Sequence, residues 1–404
     1  MYCIQHQARA GTPSRLILMM RPTIFRLAAL AATTRITPPA TSCPCGYAIT
    51  AAHSEYRPVF TEAIESDFLH TTNLTTDAVW IPQAYNVTPS AARGPYGKSS
   101  RVENVHPNPI SNPHHWTGAG IHGGDPGLQL WVNHDLIPSP TNSTDQMVPM
   151  SEIASSRSDI LHGSFRIAMK TTPLPGTCAA FFFYLSDSSE IDMEFLSEQP
   201  LPRPGQASLD GTVNLVLHSP ESAAVGYVDP DSPDFMLQGL AFNPHEGYHE
   251  YRFDWLPGRV DFYADSTLLR TMRDNVPTEA GAVHLSHWSN GNSGWSGGPP
   301  GEDAVMVVSY VKAYFNSSRD AAAATSLGQC EGGEVCQVPD QREAPEPSGR
   351  EGNRTGHTTF FGNESTIQGT VNEPKQGGGS GLVVRHVVVH GLFTVAVSLF
   401  LGLS

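Results

Sequence analysis

Short apolar or alternating runs, separated by turn residues, fill the chain between positions 54 and 318, and no long stretch there has the 3.6-residue period of a helix. Alternation with a period of two is typical of half-buried β-strands. The 37 glycines and 33 prolines favour turns over long helices. The pattern therefore predicts a single all-β domain over 54–318, built as a sandwich or a barrel. Typical runs are GLQLWVN (127–133), AAFFFYL (179–185) and TVNLVLH (212–218).

Charge and composition exclude several classes of function. The net charge is −15 without a long basic run, which argues against nucleic acid as a partner. The 17 histidines show no H-E-x-x-H spacing, and the cysteines show no zinc-finger spacing. We therefore predict no catalytic metal and no cofactor, leave a structural calcium open, and expect a monomer.

The N-terminal region, residues 1–53, is predicted to be a leader. Its stretch RLILMMRPTIFRLAALAA (15–32) sets basic residues beside short apolar runs, which resembles a secretory signal. The alternative is an unstructured leader.

The C-terminal region loses periodicity after the domain. Residues 319–380 are rich in Gly, Glu, Ser and Asn, which predicts a disordered, glycosylated linker. Small residues, a spacer and an apolar end follow, so 381–404 is predicted to be the attachment signal of a GPI anchor to the plasma membrane. The rival is a transmembrane helix, which needs ~20 clean apolar residues, whereas Arg385, His386 and His390 interrupt this stretch.

Glycosylation sequons and cysteines indicate a secreted protein held at the cell surface or cell wall. Six asparagines occur in Asn-x-Ser/Thr sequons: Asn73, Asn86, Asn142, Asn316, Asn353 and Asn363. Six cysteines fit an oxidising compartment, where disulfides persist. Cys330 with Cys336 could close a small loop, and Cys43, Cys45 and Cys178 could supply another bridge, so the connectivity stays open.

The stretch SSEIDMEFLSE (188–198) carries the strongest functional signal. As a strand it has an apolar face of Ile191, Met193 and Phe195 and an acidic face of Glu190, Asp192 and Glu194. Three like charges on one face oppose folding, which favours a function. Two glutamates leaning together could bring their carboxyl groups to ~5–5.5 Å, the separation in a retaining glycosidase. The alternatives are a chance acidic face and a cation site.

The motif E-x-D-x-E at 190–194 resembles the signature of glycoside hydrolase family 16. Further on, HEYRFDW (249–255) is similar to the family's H-x-Y-x-x-x-W stretch, and VSYVKAYF (308–315) to its closing strand. The resemblance covers most of 54–318. CPCGYAIT (43–50) is similar to the opening of secreted fungal members.

The resemblance implies a concanavalin A-like β-jelly-roll sandwich with a concave glycan-binding cleft. It also implies that Glu190 is the nucleophile, Asp192 its helper and Glu194 the acid/base. The expected activity is that of a retaining endo-β-glucanase acting on β-1,3 or mixed β-1,3/1,4 glucan. The alternatives are a transglycosylase that joins glucan or chitin chains, a non-catalytic glucan-binding module, and an adhesin with a glycosylated stalk.

Four further residues are candidates for glycan contact. Trp288 and Trp295 lie in the Gly-, Ser- and Asn-rich segment HWSNGNSGWSGG (287–298), which predicts exposed rings on which sugars stack. Asn214 is a candidate hydrogen-bond donor to a sugar hydroxyl or to the nucleophile, with a structural role as its alternative. Trp116 is a weaker candidate for stacking, because core packing explains it equally well.

Overall fold

The computed structural model of the 404-residue chain describes residues 43, 45–53, 57–75, 77–198, 211–320, 335–350, 352 and 354–361. Two large β-sheets and one small sheet dominate these residues, which confirms the predicted all-β sandwich. The predicted attachment signal 381–404, most of the predicted leader, and Asn353 and Asn363 lie outside the described residues.

The first large sheet has ten strands, and the strands are numbered β1 to β21 along the chain. Its main path runs β15-β14-β13-β12-β19-β10-β6-β5, while β4 and β9 pair with β10. Its strands are β4 (Trp80–Pro82), β5 (Tyr85–Val87), β6 (Gly97–Ser100), β9 (Ile137–Pro138), β10 (Gln146–Ser155), β12 (Cys178–Ser186), β13 (Ser189–Leu196), β14 (Thr212–Leu217), β15 (Phe235–Gly239) and β19 (Ala282–Trp288).

The second large sheet has eight strands in the order β18-β17-β16-β11-β20-β8-β7, and β3 pairs with β20. Its strands are β3 (Glu62–Asp67), β7 (Val105–Asn108), β8 (Gly127–Val132), β11 (Ile160–Lys170), β16 (His249–Leu256), β17 (Arg259–Ala264), β18 (Thr267–Met272) and β20 (Ala304–Ser317). The small sheet contains β1 (Tyr47–Ala48), β2 (Val59–Phe60) and β21 (Cys336–Gln337). The helices are short: α1 (Pro89–Ala92), α2 (Pro220–Val225) and the 3₁₀ turns Val102–Asn104 and Ser318–Asp320.

The main core lies between the two large sheets and is built from aromatic rings on alternate strand positions. The ring of Phe181 on β12 lies 5.0 Å from that of Phe253 on β16. Phe183 and Trp255 meet in the same way, with ring centroids 4.3 Å apart. Period-two alternation therefore directs one side of each sheet into this core.

The segment 335–361 corrects the predicted domain boundary. β21 pairs with β1, and a disulfide joins Cys336 to Cys43. The prediction of a disordered linker is therefore wrong for this segment, and the prediction of a leader is wrong for residues 45–53, which carry β1. Because Cys336 is bonded to Cys43, the suggested Cys330–Cys336 loop is wrong; Cys45 is disulfide-bonded as well.

The same segment covers buried cations on the outer side of the eight-stranded sheet. Arg166 donates a hydrogen bond of 2.7 Å to the carbonyl oxygen of Pro339, and Arg252 lies 3.1 Å from Asp340. Lys312 donates to the carbonyl oxygen of Thr359 at 2.7 Å. Buried cations need such partners, so the segment belongs to the domain. Among the described helices, none combines the length and apolar character needed to cross a membrane.

Candidate active site

Strand β13 separates its apolar and acidic side chains as the alternation predicts. Ile191, Met193 and Phe195 lie in the core between the sheets. Glu190, Asp192 and Glu194 therefore lie on the opposite face of the ten-stranded sheet, which we call the acidic face. All three are fully buried, with 0% exposure. Something other than solvent must therefore cover this face.

His218 joins the three carboxylates, and it was not among the predicted site residues. It follows β14, and its Nε2 lies 3.2 Å from Oδ2 of Asp192 and 4.0 Å from Oε2 of Glu190. Its other nitrogen, Nδ1, lies 3.4 Å from Oγ of Ser222. The alternation along 212–218 puts His218 on one face with Asn214, but only the strand register, which pairs Asp192 with Val216, brings it to Glu190.

These residues could also hold a metal ion. Glu190, Asp192 and His218 each offer one ligand atom, and the three atoms lie within 4.8 Å of one another. A cation there would occupy the oxygens that a nucleophilic Glu190 needs. The absence of a catalytic metal stays a prediction.

Glu194 has its own set of neighbours. The thiol of Cys178 lies 3.3 Å from Oε1 of Glu194, as a donor to a buried carboxyl oxygen. The side-chain amide of Asn214 donates to the main-chain oxygen of Glu194 at 3.3 Å, which agrees with the structural alternative for Asn214. Cys178 could not have been found from the sequence alone, because its place beside Glu194 depends on the strand register that pairs Ala180 with Glu194.

Burial raises the pKa of Glu190 well above its ordinary value of 4.5, and the negative charge of Asp192 adds to the shift. The covered structure therefore favours the protonated form of Glu190. Attack on a sugar carbon needs the carboxylate form. A nucleophilic role for Glu190 would therefore require that the residues covering it open to water or substrate.

We predict that Glu190→Gln increases stability at neutral pH. Glutamine resembles the protonated acid and has no charge to bury. A raised folded-state pKa means that wild-type stability is complete below about pH 4.5 and falls as the pH rises from there through the folded-state pKa. The free energy of unfolding in urea, measured from pH 4 to pH 8, should therefore fall more steeply for the wild type than for the variant.

The control for this measurement is Glu103→Gln, because Glu103 is an exposed carboxylate. Its stability curve should run parallel to the wild-type curve. A Glu190→Gln curve that is also parallel to the wild type would contradict the raised pKa of Glu190.

The two tryptophans predicted to stack on sugars lie on the acidic face, but they are buried. Trp288 is 1% exposed and Trp295 is 6% exposed. Both pack in an apolar cluster with Phe182 and Val216, which flank the carboxylates on neighbouring strands. The expectation of exposed rings is wrong, because the segments around these tryptophans fold over the face rather than away from it. Lys98 also lies over the ring of Trp288, with Nζ 4.5 Å from the centroid.

Three segments cover the acidic face, and we call them the roof: residues 88–96, 219–228 and 289–298. The amide of Asn290 donates to the carbonyl oxygen of Ala92 at 2.6 Å. Val228 and Trp295 belong to the apolar cluster on the face itself. The guanidinium of Arg93 donates to the carbonyl oxygen of Gly226. The roof explains why the carboxylates are buried.

Trp116 does not lie at the acidic face. Its ring packs edge-on against His70 at 4.7 Å and His357 at 5.0 Å, and it stacks on Phe360 at 6.2 Å. These contacts agree with the core-packing alternative for Trp116, and its contact with glycan stays a prediction. The Trp116 ring packs against the segment 354–361. This contact could not be predicted from the sequence, because it depends on where that segment packs.

The described sequon asparagines differ in accessibility. Asn73, Asn86 and Asn142 are exposed, so their side chains are open to modification. Asn316 is half-buried, and its Oδ1 accepts a hydrogen bond of 3.2 Å from the backbone of Thr61. Glycosylation of the three exposed residues stays a prediction.

Comparison with known families supports the resemblance seen in the sequence. Residues 127–310 match the model of the family described as Glycosyl hydrolases family 16. This range includes the acidic strand β13. The match supports a family 16 domain in this part of the chain.

Curated relatives resemble part of the chain at low identity. A β-glucanase of Paenibacillus macerans is 26% identical over 152 residues, which cover 36% of this chain and 56% of the relative. A β-glucanase of Acetivibrio thermocellus is 26% identical over 168 residues, which cover 40% of this chain and 45% of the relative. A protein named probable glycosidase CRR1, of Eremothecium gossypii, is 24% identical over 152 residues, covering 38% and 29%. The chain spans about half the length, or less, of these relatives.

Solved structures also resemble the chain. The β-glucanase of Bacillus licheniformis has a TM-score of 0.43 at 18% identity and covers 62% of this chain and 97% of its own. The laminarinase catalytic domain of Thermotoga maritima has a TM-score of 0.46 at 14% identity, and the match covers 62% of this chain and 96% of that domain.

Proposed function

We propose, from the family 16 match over 127–310, that this protein is a retaining glycoside hydrolase that acts on β-glucans by double displacement. The observation that carries the proposal is the placement of Glu190, Asp192 and Glu194 on one face of β13, away from the core. The β-glucanase relatives support glucan as the substrate. A lectin would have no use for three buried carboxylates that destabilise the fold.

In the first step, the Glu190 carboxylate attacks the anomeric carbon of the sugar. The bond from that carbon to the leaving oxygen breaks, and Glu194 gives its proton to this oxygen. A glycosyl ester on Glu190 results, and its formation removes the negative charge next to Asp192. Glu194 is now a carboxylate.

In the second step, Glu194 takes a proton from a water molecule or a sugar hydroxyl, whose oxygen attacks the same carbon. Glu190 leaves as a carboxylate, so the anomeric configuration is retained. Asp192 lies between the two glutamates and contacts His218 at 3.2 Å. This contact holds the Asp192 carboxylate in place while the charge on Glu190 changes.

The stereochemistry of the product tests the proposal. Mixed-linkage β-1,3/1,4-glucan is digested with the wild type and followed by ¹H NMR. We expect new reducing ends to appear first as the β-anomer and to mutarotate later. Early α-anomer would contradict double displacement, and an unchanged polymer with measurable binding would favour the glucan-binding module.

Transglycosylation is a second candidate, favoured by the full burial of the carboxylates. A covered site limits the entry of water to the glycosyl intermediate, whereas a bound sugar acceptor arrives with its own contacts. Incubation of enzyme with glucan and a fluorescent oligosaccharide separates the two outcomes. Label in the polymer supports transfer, and label confined to short products supports hydrolysis.

We also propose that the protein is a secreted monomer anchored to the plasma membrane through its C-terminal segment. The disulfide Cys43–Cys336 supports an oxidising compartment. The exposed asparagines Asn73, Asn86 and Asn142 support exposure to the glycosylation machinery. Release from cells by a phosphatidylinositol-specific phospholipase would support the anchor, and retention after that treatment would contradict it.

A further inference from the structure

We propose that Arg93 determines substrate specificity by bridging the two rims of the acidic face, which are the roof segments 88–96 and 219–228. Its bridge keeps the roof closed and thereby admits short glycosides more readily than glucan polymers. This inference rests on the proposed glycosidase function, because it concerns access to the same three carboxylates.

The bridge joins segments from opposite ends of the ten-stranded sheet. Residue 93 lies between β5 and β6, which end one side of the strand order. Gly226 ends α2, which connects β14 to β15 at the other side. The hydrogen bond from the Arg93 guanidinium to Gly226 therefore joins connections from the two sides of a strand order that has β13 between them.

The backbone at both residues, Gly226 and Arg93, accommodates this contact. Gly226 has a φ of +87°, and an added Cβ would lie 2.4 Å from Cζ of Arg93, so glycine leaves room for the guanidinium. Arg93 itself has a φ of +56°, and the side chain of Asn292 donates to its carbonyl oxygen at 2.8 Å. Residues 88–96 are thus fixed to 289–298, and the Arg93 side chain extends from this fixed base to the opposite rim.

The guanidinium is in a partly desolvated position. Burial lowers the pKa of Arg93 below its ordinary value, and the charge of Asp187 opposes this shift. Asp187 belongs to the β12–β13 turn, which places the Arg93 charge on the side of the acidic strand. A cation held here is favoured by the negative charge of Asp187.

Closure of the roof affects substrates according to their length. A polymer places sugars on both sides of the bond that is cleaved, so both rims must separate along the whole bound stretch. A short aryl glycoside needs an opening only near Glu190 and Glu194. Loss of the bridge should therefore raise kcat/KM for the polymer more than for the short glycoside.

The first experiment measures kcat/KM for soluble mixed-linkage glucan and for an aryl β-glycoside of a disaccharide. A hydrogen bond from a charged group is lost in Arg93→Ala, so we expect kcat/KM on the polymer to rise about tenfold. On the aryl glycoside we expect less than about a twofold change, because local opening suffices. Arg93→Lys, which keeps the charge, should give an intermediate ratio.

The matched control is Arg101→Ala. Arg101 pairs with Glu103 at the surface, at 3.0 Å, and takes no part in the roof. In this variant, kcat/KM for the glucan and kcat/KM for the aryl glycoside should both stay at their wild-type values. Equal changes on polymer and aryl glycoside in Arg93→Ala, or no change on either, would overturn the inference.

A second readout is independent of turnover. The thiol of Cys178 is buried beside Glu194 beneath the roof, so its alkylation reports opening. Mass spectrometry should show iodoacetamide labelling of Cys178 about tenfold faster in Arg93→Ala than in the wild type or Arg101→Ala. Equal labelling rates would overturn the bridge as a closing contact. Absence of glucan turnover in every protein would overturn the proposed function, whatever the labelling rates.

Discussion

Replacement of Glu190 by glutamine is expected to lower glucan turnover by at least about 10⁴-fold, because in the proposed mechanism the glycosyl ester forms on the Glu190 carboxylate. Glutamine keeps the shape of the side chain on β13 and removes the carboxylate that is proposed to attack the anomeric carbon. The measurement is the initial rate of reducing-end formation from mixed-linkage glucan. The same variant is expected to be the more stable protein at neutral pH, so its inactivity would not reflect unfolding.

The control for lost activity is Glu250→Gln. Glu250 is an equally buried glutamate on β16, in the other sheet, and accepts a hydrogen bond of 2.7 Å from the hydroxyl of Tyr310. We expect this variant to keep wild-type turnover per folded molecule. Loss of activity in both variants to the same extent would show that burial of a glutamate, not nucleophilic attack, is the property being removed.

Azide distinguishes the roles of the two glutamates. In Glu190→Gly, azide can enter the space left by the nucleophile and attack the substrate from that side, which gives an α-glycosyl azide. In Glu194→Gly, the glycosyl ester still forms on Glu190, and azide replaces it from the opposite side to give a β-glycosyl azide. The reverse pairing of products and variants would exchange the assigned roles.

Local alternation explains why the acidic strand could be read from the sequence. Ile191, Met193 and Phe195 face the core, as a period of two requires, and the carboxylates face away from it. The all-β sandwich follows from the same rule applied to every strand. Both predictions depend on residues that are close in the sequence.

The roof depends on contacts that are distant in the sequence. Arg93 and Gly226 are separated by 133 residues. The position of His218 beside Asp192 likewise depends on the pairing register of β13 and β14. Local composition suggested an exposed loop around Trp295, because Gly, Ser and Asn are typical of turns. Composition does not specify which face such a loop covers, so the burial of Trp288 and Trp295 was not predicted.

The prediction of a disordered linker is wrong for the C-terminal segment 335–361 for a related reason. The described residues of 335–361 have no strand or helix period because, beyond β21, they form turns and irregular structure against the eight-stranded sheet. Their contacts are single anchors, such as Pro339 to Arg166 and Thr359 to Lys312. Low periodicity is typical of disorder, but a covalent bond at Cys336 can hold such a segment in place.

Removal of the Cys43–Cys336 disulfide is therefore expected to have the largest effect on stability. The bond closes a loop between residues 293 positions apart, and the chain-entropy model gives long loops the greatest stabilisation. We expect Cys43→Ala/Cys336→Ala to lose about 3–5 kcal/mol of unfolding free energy. Thermal unfolding followed by circular dichroism should show a Tm lower by roughly 10 °C.

The single variants provide the control, because either one breaks the same bond. Cys43→Ala and Cys336→Ala should each lose nearly as much stability as the double variant, so their effects should not add. Additive losses would mean that the two side chains act by packing alone, with Cys43 in the apolar cluster around Tyr47 and Tyr314. Non-additive losses would show that the link between β1 and β21 is what keeps residues 335–361 over Arg166 and Arg252, and so makes the segment part of the folded domain.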